Sequence, residues 1–343
     1  MRSEEELKSQ LNTTIEKYPL IKEFFGQQLA RRISQEGWLE NRLIQTLLLE
    51  DGHSNDREYL NSISSILEEI EKNKENFNTL KSRHSGGGDY NQQIKDLLAE
   101  INAYTYLKRD GYKDIEVIEP KPKKHSSPDF RANKDGEQYL FEVENMRSPY
   151  TVLDPLTDKL KAKYLQEPYL YNKMFYLELL AHEEDNNKLD IEDINELAKL
   201  ILEKICEEMR IWKESRFRLQ YRYGKKSCLD CKISGSSLVF QYSLKNKRVV
   251  CVDEGYWQKR KALLKEKMLR KTEEASRQLL KYTEQEEYKK VILLNWERPC
   301  CWGFTKEEYS IEFLEDIIDD INQSRNSADK NLSVRLLPKY IPL

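Results

Sequence analysis

Of 343 residues, 38% are hydrophobic and 34% charged, with a formal net charge of −3. The length suits one large or two ordinary domains, and no apolar run approaches what a bilayer-spanning segment needs. The acidic start, MRSEEELKSQ, lacks the apolar stretch of a secretory signal, and six cysteines in so long a chain do not suggest a disulfide framework. These features predict a soluble, cytoplasmic protein with no membrane partner.

Residues 1–84 read as an all-helical domain. Leu60, Ile63, Ile66, Leu67, Ile70, Phe77 and Leu80 recur at three- and four-residue spacing, the stripe of an amphipathic helix. Packing against the chain's own helices accounts for that stripe, and a homodimer contact is the alternative. Three consecutive glycines in SGGGD, Ser85 to Asp89, can hold neither helix nor strand, so residues 85–90 are predicted as a linker.

Residues 91–150 then read as helix, strand, loop and hairpin. The helix runs from about 91 to 108 and stops at Gly111. DIEVI, Asp114 to Ile118, is a short strand, and EPKPKKHSS is a loop. PDFRA and EQYLFEVE are two strands joined by NKDG, whose Asp-Gly pair is a tight-turn signal.

Residues 151–256 read as an inserted subdomain: helices over about 156–183 and 191–215, then the strands RFRLQYRY, SLVFQY and KRVVCVD. The alternating arginines of RFRLQYRY read as a solvated face. Residues 257–343 return to a long helix over about 257–283, a buried strand at 291–296, a helix after Thr305 with Glu308 as its capping partner, and a last strand, LSVRLL.

Chemistry concentrates in the hairpin. Glu142 and Glu144 lie two apart on one strand and share a face, and the turn brings Asp129 beside them. Three such carboxylates repel one another unless a cation neutralises them, and oxygen-only ligation suits Mg2+ or Mn2+. Glu100 lies inside the apolar stripe of the preceding helix, between Leu97 and Leu107, where a carboxylate is costly without a partner.

Glu100, Pro128-Asp129 and Glu142-Val143-Glu144, in that order of helix and strands, resemble the PD-(D/E)xK nuclease superfamily. The resemblance implies an α/β, restriction-endonuclease-like core, a mixed sheet flanked by helices, built from 91–150 and 257–343. It implies a metal-dependent hydrolysis of phosphodiester bonds in which Asp129, Glu142, Glu144 and the Val143 carbonyl hold Mg2+ or Mn2+. The departure is Glu144, which stands where the family usually has lysine; some restriction enzymes similarly carry glutamate there. Gln278-Leu-Leu-Lys-Tyr282 is similar to the Gln-x-x-x-Tyr element of the RecB-like branch, and some members supply the lysine from this helix. Lys271 or Lys267 is the corresponding candidate, with a solvated helix edge as the plain alternative.

Nucleic acid, DNA first, is the expected partner. From Gln258 to Lys281 nine Lys or Arg stand against three Glu. Lys121, Lys123 and Lys124 precede Asp129. Basic segments of this kind grip phosphates without reading sequence. Tyr282 joins Lys267 and Lys271 in that expected surface. Cys228, Cys231, Cys300 and Cys301 have no standard zinc spacing and read as thiols, and His53, His84, His125 and His182 form no ligand pair. Two rivals remain: a binding module that has lost catalysis with its lysine, and an interaction protein whose acidic hairpin is only surface.

Overall fold

The computed structural model describes residues 2–50, 54–83, 90–119, 127–146, 174–181, 214–221, 237–242, 247–251, 254–282, 288–296, 311–325 and 331–338, with a few single positions between 159 and 206. Five helices come first: α1 (Glu4–Ile15), α2 (Pro19–Ile33), α3 (Arg42–Leu49), α4 (Ser54–Glu71) and α5 (Lys74–Arg83). The stripe expected to run through a single helix is split between α4 and α5. Asn73 causes the break by accepting a hydrogen bond from the Asn76 amide at the start of α5 (3.2 Å). Leu60, Ile63, Leu67, Ile70, Phe77 and Leu80 are fully buried, which is the packing within the chain that their spacing allowed.

Helix α6 (Tyr90–Arg109) leads into strands β1 (Lys113–Val117), β2 (Phe130–Lys134) and β3 (Glu137–Met146). It ends where glycine permits. Gly111 takes a φ of 84°, and the Tyr112 amide donates back to the Leu107 carbonyl (3.0 Å), closing the last turn. The β2–β3 turn is the one its Asp-Gly pair demands. Asp135 and Gly136 have φ of 53° and 81°, and Lys134 pairs directly with Glu137. Two left-handed residues in a two-residue loop match the twist of the flanking strands.

The chain returns through α7 (Glu254–Tyr282), β8 (Lys289–Trp296), α8 (Ile311–Arg325) and β9 (Leu332–Leu336). The resulting α/β unit has a five-stranded mixed sheet ordered β1-β2-β3-β8-β9. Its first three strands run antiparallel, while β3, β8 and β9 are parallel to one another. Val291, Ile292, Leu293 and Leu294 of β8 are all buried, as expected of a strand covered on both faces. Consecutive residues of β3 identify the covers, because their side chains point to opposite faces. Asn145 donates to Asp96 of α6 (3.3 Å), and Glu144 pairs with Lys271 of α7 (3.1 Å).

At each edge of this sheet an asparagine side chain pairs with the outer strand. On β1, Asn76 of α5 donates to the Ile115 carbonyl (2.7 Å) and accepts from the Val117 amide (2.9 Å). On β9, Asn322 of α8 donates to the Val334 carbonyl (3.0 Å) and accepts from the Val334 amide (2.8 Å). Each side-chain amide supplies one donor and one acceptor, as a neighbouring strand would.

The chain divides into two compact units. The unit just described holds Lys8–Met146, Lys265–Glu297 and Ile311–Leu343. Among the described residues, the helical segment from Lys8 to Arg83 falls in the same unit as the sheet, whereas the sequence reading sets residues 1–84 apart as a domain. The physical reason is that α5 serves the β1 edge. The other unit holds Met1–Leu7, Arg147–Leu264 and Arg298–Ser310, and so contains the expected 151–256 insertion. Its sheet has strands β4 (Met174–Ala181), β5 (Glu214–Tyr221), β6 (Ser237–Tyr242) and β7 (Lys247–Cys251), ordered β5-β4-β6-β7. Residues 174–181, expected at the end of a helix, are therefore a strand. The run MFYLELLA is short and apolar, and spacing alone does not separate strand from helix in such a run. The expected helix cap at Thr305 and the cysteines at 228, 231, 300 and 301 lie outside the described residues. No described helix is long and apolar enough to cross a membrane.

Candidate active site

The hairpin register builds the first part of the site. Phe130 pairs with Phe141, which brings Asp129, just before β2, beside Glu142 on β3. The Asp129 backbone continues the pairing by donating to the Phe141 carbonyl (2.8 Å). Its side-chain Oδ2 accepts from the Val143 amide (2.7 Å), which fixes the carboxylate against β3. Val143 thus contributes its N–H to the site.

Glu142 and Glu144 share the face of β3 that alternation assigns them, and both are buried. Glu142 is the extreme case. It is 8% exposed, and its Oε2 has no hydrogen-bond partner among the described residues. Burial pushes its carboxyl well above the ordinary value of 4.5; the charges of Asp129 and Glu144 add to the rise, and Arg83 opposes it. Asp129 is raised as well. Burial dominates there, against the attraction of Arg83 and the Val143 hydrogen bond.

Arg83, from the last residue of α5, stands at the centre of the arrangement. Its Nη1 donates to Asp129 Oδ1 (2.5 Å) and to Glu100 Oε2 (3.1 Å). Its Nε and Nη2 meet the Ile118 carbonyl, and Nη2 also reaches the carbonyls of Pro128 (3.3 Å) and Asp129 (3.2 Å). Glu100 is 6% exposed, and the guanidinium is the partner that its place on the buried stripe of α6 required. No motif singles out Arg83. A signal did exist: Asn76, Leu80 and Arg83 follow one another at four and three residues along α5, so the arginine continues the buried face.

On the α7 side, Lys271 Nζ lies 3.1 Å from Glu144 Oε2 and 3.6 Å from Glu274. Burial raises the Glu144 carboxyl, and Lys271 works against that rise. For Lys271 itself, burial lowers its affinity for the proton, but Glu144 and then Glu274 outweigh this and leave it raised. Lys267 and Gln278 are half-buried, one turn before and two turns after Lys271 on the same helix. Lys121, Lys123, Lys124 and the side chain of Tyr282 lie outside the described residues.

No family model, curated protein or solved structure matches this chain. The site therefore stands on its own geometry.

Whether these residues suit a divalent cation can be judged from their oxygens. Among the described residues, no three acidic, histidine or cysteine side chains converge closely enough to hold an ion. Asp129 and Glu100 are committed to Arg83, and Glu144 to Lys271. Glu142 Oε2 is different: it is buried, lacks a donor and stands beside other carboxylates. An oxygen in that position suits a hard cation, and Asp129 beside it is the natural second ligand.

Proposed function

We propose that this protein is a metal-dependent nuclease that hydrolyses phosphodiester bonds, with DNA as its substrate. The observation that carries the reading is the contact between Lys271 and Glu144. Strand β3 bears glutamate where such sites usually place lysine, and α7 brings a lysine to that same carboxylate. The order of elements supports it: α6 with Glu100, three antiparallel strands, then α7 and a strand parallel to β3. That order is the one expected of a restriction-endonuclease-like core.

Asp129 and Glu142 would hold a single Mg2+ or Mn2+, with Glu144 beside them. A divalent ion there would polarise the scissile phosphate and ease deprotonation of a bound water. The chain's own residues do the rest. Val143 N–H and Arg83 hold the Asp129 carboxylate in one orientation. Glu144, whose ionised form Lys271 favours against burial, would take a proton from water, and Lys271 would move to the phosphate as negative charge develops. The basic face of α7 and the lysines at 121, 123 and 124 would contact the backbone of the substrate.

The test is cleavage of single- and double-stranded DNA in Mg2+ or Mn2+, comparing wild type with Asp129→Ala and Glu142→Ala. Both variants should be inactive, and cleavage persisting in both would sink the assignment. A second reading, a binding module of the same fold without catalysis, is favoured by the commitment of Asp129 to Arg83. DNA binding without cleavage in either metal would select it.

A further inference from the structure

We propose that Arg83 is a built-in cation of this site, so that the site takes one divalent ion and Glu100 anchors the arginine instead of ligating metal. The inference rests on the metal-dependent reading above and deepens it.

Three observations lead there. Arg83 Nη1 bridges Glu100 and Asp129 at 3.1 and 2.5 Å, the position a cation shared by those two carboxylates would take. The arginine is also no loose counter-ion. Its side chain is 6% exposed, and its other nitrogens are held by the main-chain carbonyls of Ile118, Pro128 and Asp129. An arriving ion that expelled the arginine would have to replace its hydrogen bonds to those carbonyls as well as its contacts with the two carboxylates.

Charge gives the third argument. Among the described residues, four carboxylates, the buried Glu100, Glu142 and Glu144 and the half-buried Asp129, meet two cations, Arg83 and Lys271. Glu274, the further partner of Lys271, lies at 3.6 Å with its side chain 41% exposed and adds little to that balance. With all four ionised, two negative charges remain, and one divalent ion neutralises them. The acceptor without a donor, Glu142 Oε2, marks where that ion sits. A guanidinium stabilises negative charge but does not deliver hydroxide, so in this arrangement Arg83 positions Asp129 and the single metal supplies the Lewis acid.

The experiment counts metal on the full chain. Mn2+ binding is measured by titration calorimetry and by the paramagnetic resonance of the bound ion, with Mg2+ as competitor. Wild type should bind one ion that Mg2+ displaces. Glu142→Gln should weaken it at least tenfold, and Glu100→Gln should leave its affinity within about threefold. Arg83→Gln should open the second place and raise the count to two. Should that variant not fold, wild type and Glu100→Gln still decide. Two ions in wild type, or a tenfold loss in Glu100→Gln, would overturn the inference and leave the metal-dependent reading standing. No bound ion in wild type would overturn that reading, and the inference with it.

Discussion

Glu142 makes the metal-free protein sensitive to alkali in a way its sequence position would not suggest. Its native carboxyl holds a proton above the ordinary value of 4.5, whereas the unfolded chain has released it. The folded state therefore binds more protons in that window, and the stability this gives below pH 4.5 is lost as pH rises towards the raised native value. Glu142→Gln removes the liability. In chelator, its melting temperature should exceed that of wild type once the pH has passed the raised native value and match it in acid, as scanning calorimetry will show. Lys271→Ala acts in the opposite sense. It leaves Glu144, whose side chain is 11% exposed, without its cation, and should cost about 1 kcal/mol in urea denaturation, since Lys271 is itself partly solvated. Under the nuclease reading, hydrolysis by that variant should fall by roughly 10²-fold. Unchanged cleavage would mean that the lysine is only a structural partner.

At the scale of elements, Asn76 and Asn322 are each expected to be worth more than a surface amide. Replacing either with alanine leaves an edge N–H and C=O without partners, at about 1–3 kcal/mol for each buried group. Amide exchange read by NMR should quicken at Val117 in Asn76→Ala and at Val334 in Asn322→Ala, each at its own edge alone. These elements also show what sequence can reveal. The hairpin, the end of α6 and strands β8 and β9 were legible because local chemistry dictates them: an Asp-Gly turn, a left-handed glycine, runs of buried apolar residues. Glu100 was legible as a charge on a buried stripe. Arg83 obeys the same rule on α5, yet its partners lie 17 and 46 residues away, and only the folded chain brings them together. Strand β4 was not legible, because a short apolar run is compatible with either periodicity.

For the molecule as a whole, the glycine run at 86–88 invites division into a helical piece and a sheet-bearing piece, and the contacts across it argue against separability. Helix α5 supplies the partner of the β1 edge and the cation between Glu100 and Asp129. A fragment starting at residue 90 would carry an open strand edge and uncompensated buried carboxylates, and should aggregate on expression. Proteolytic nicking within Gly86–Gly88 should yield two polypeptides that still elute together under native conditions and part only in denaturant. Separate elution of folded pieces would show that α5 is dispensable. The same asparagines bear on how copies of this chain can meet. At Ile115, Val117 and Val334 the outer strands of the five-stranded sheet already have partners, so a second chain extending that sheet would have to displace those side chains. Two side chains, one at each end of the sheet, thereby weigh against edge-to-edge pairing through it.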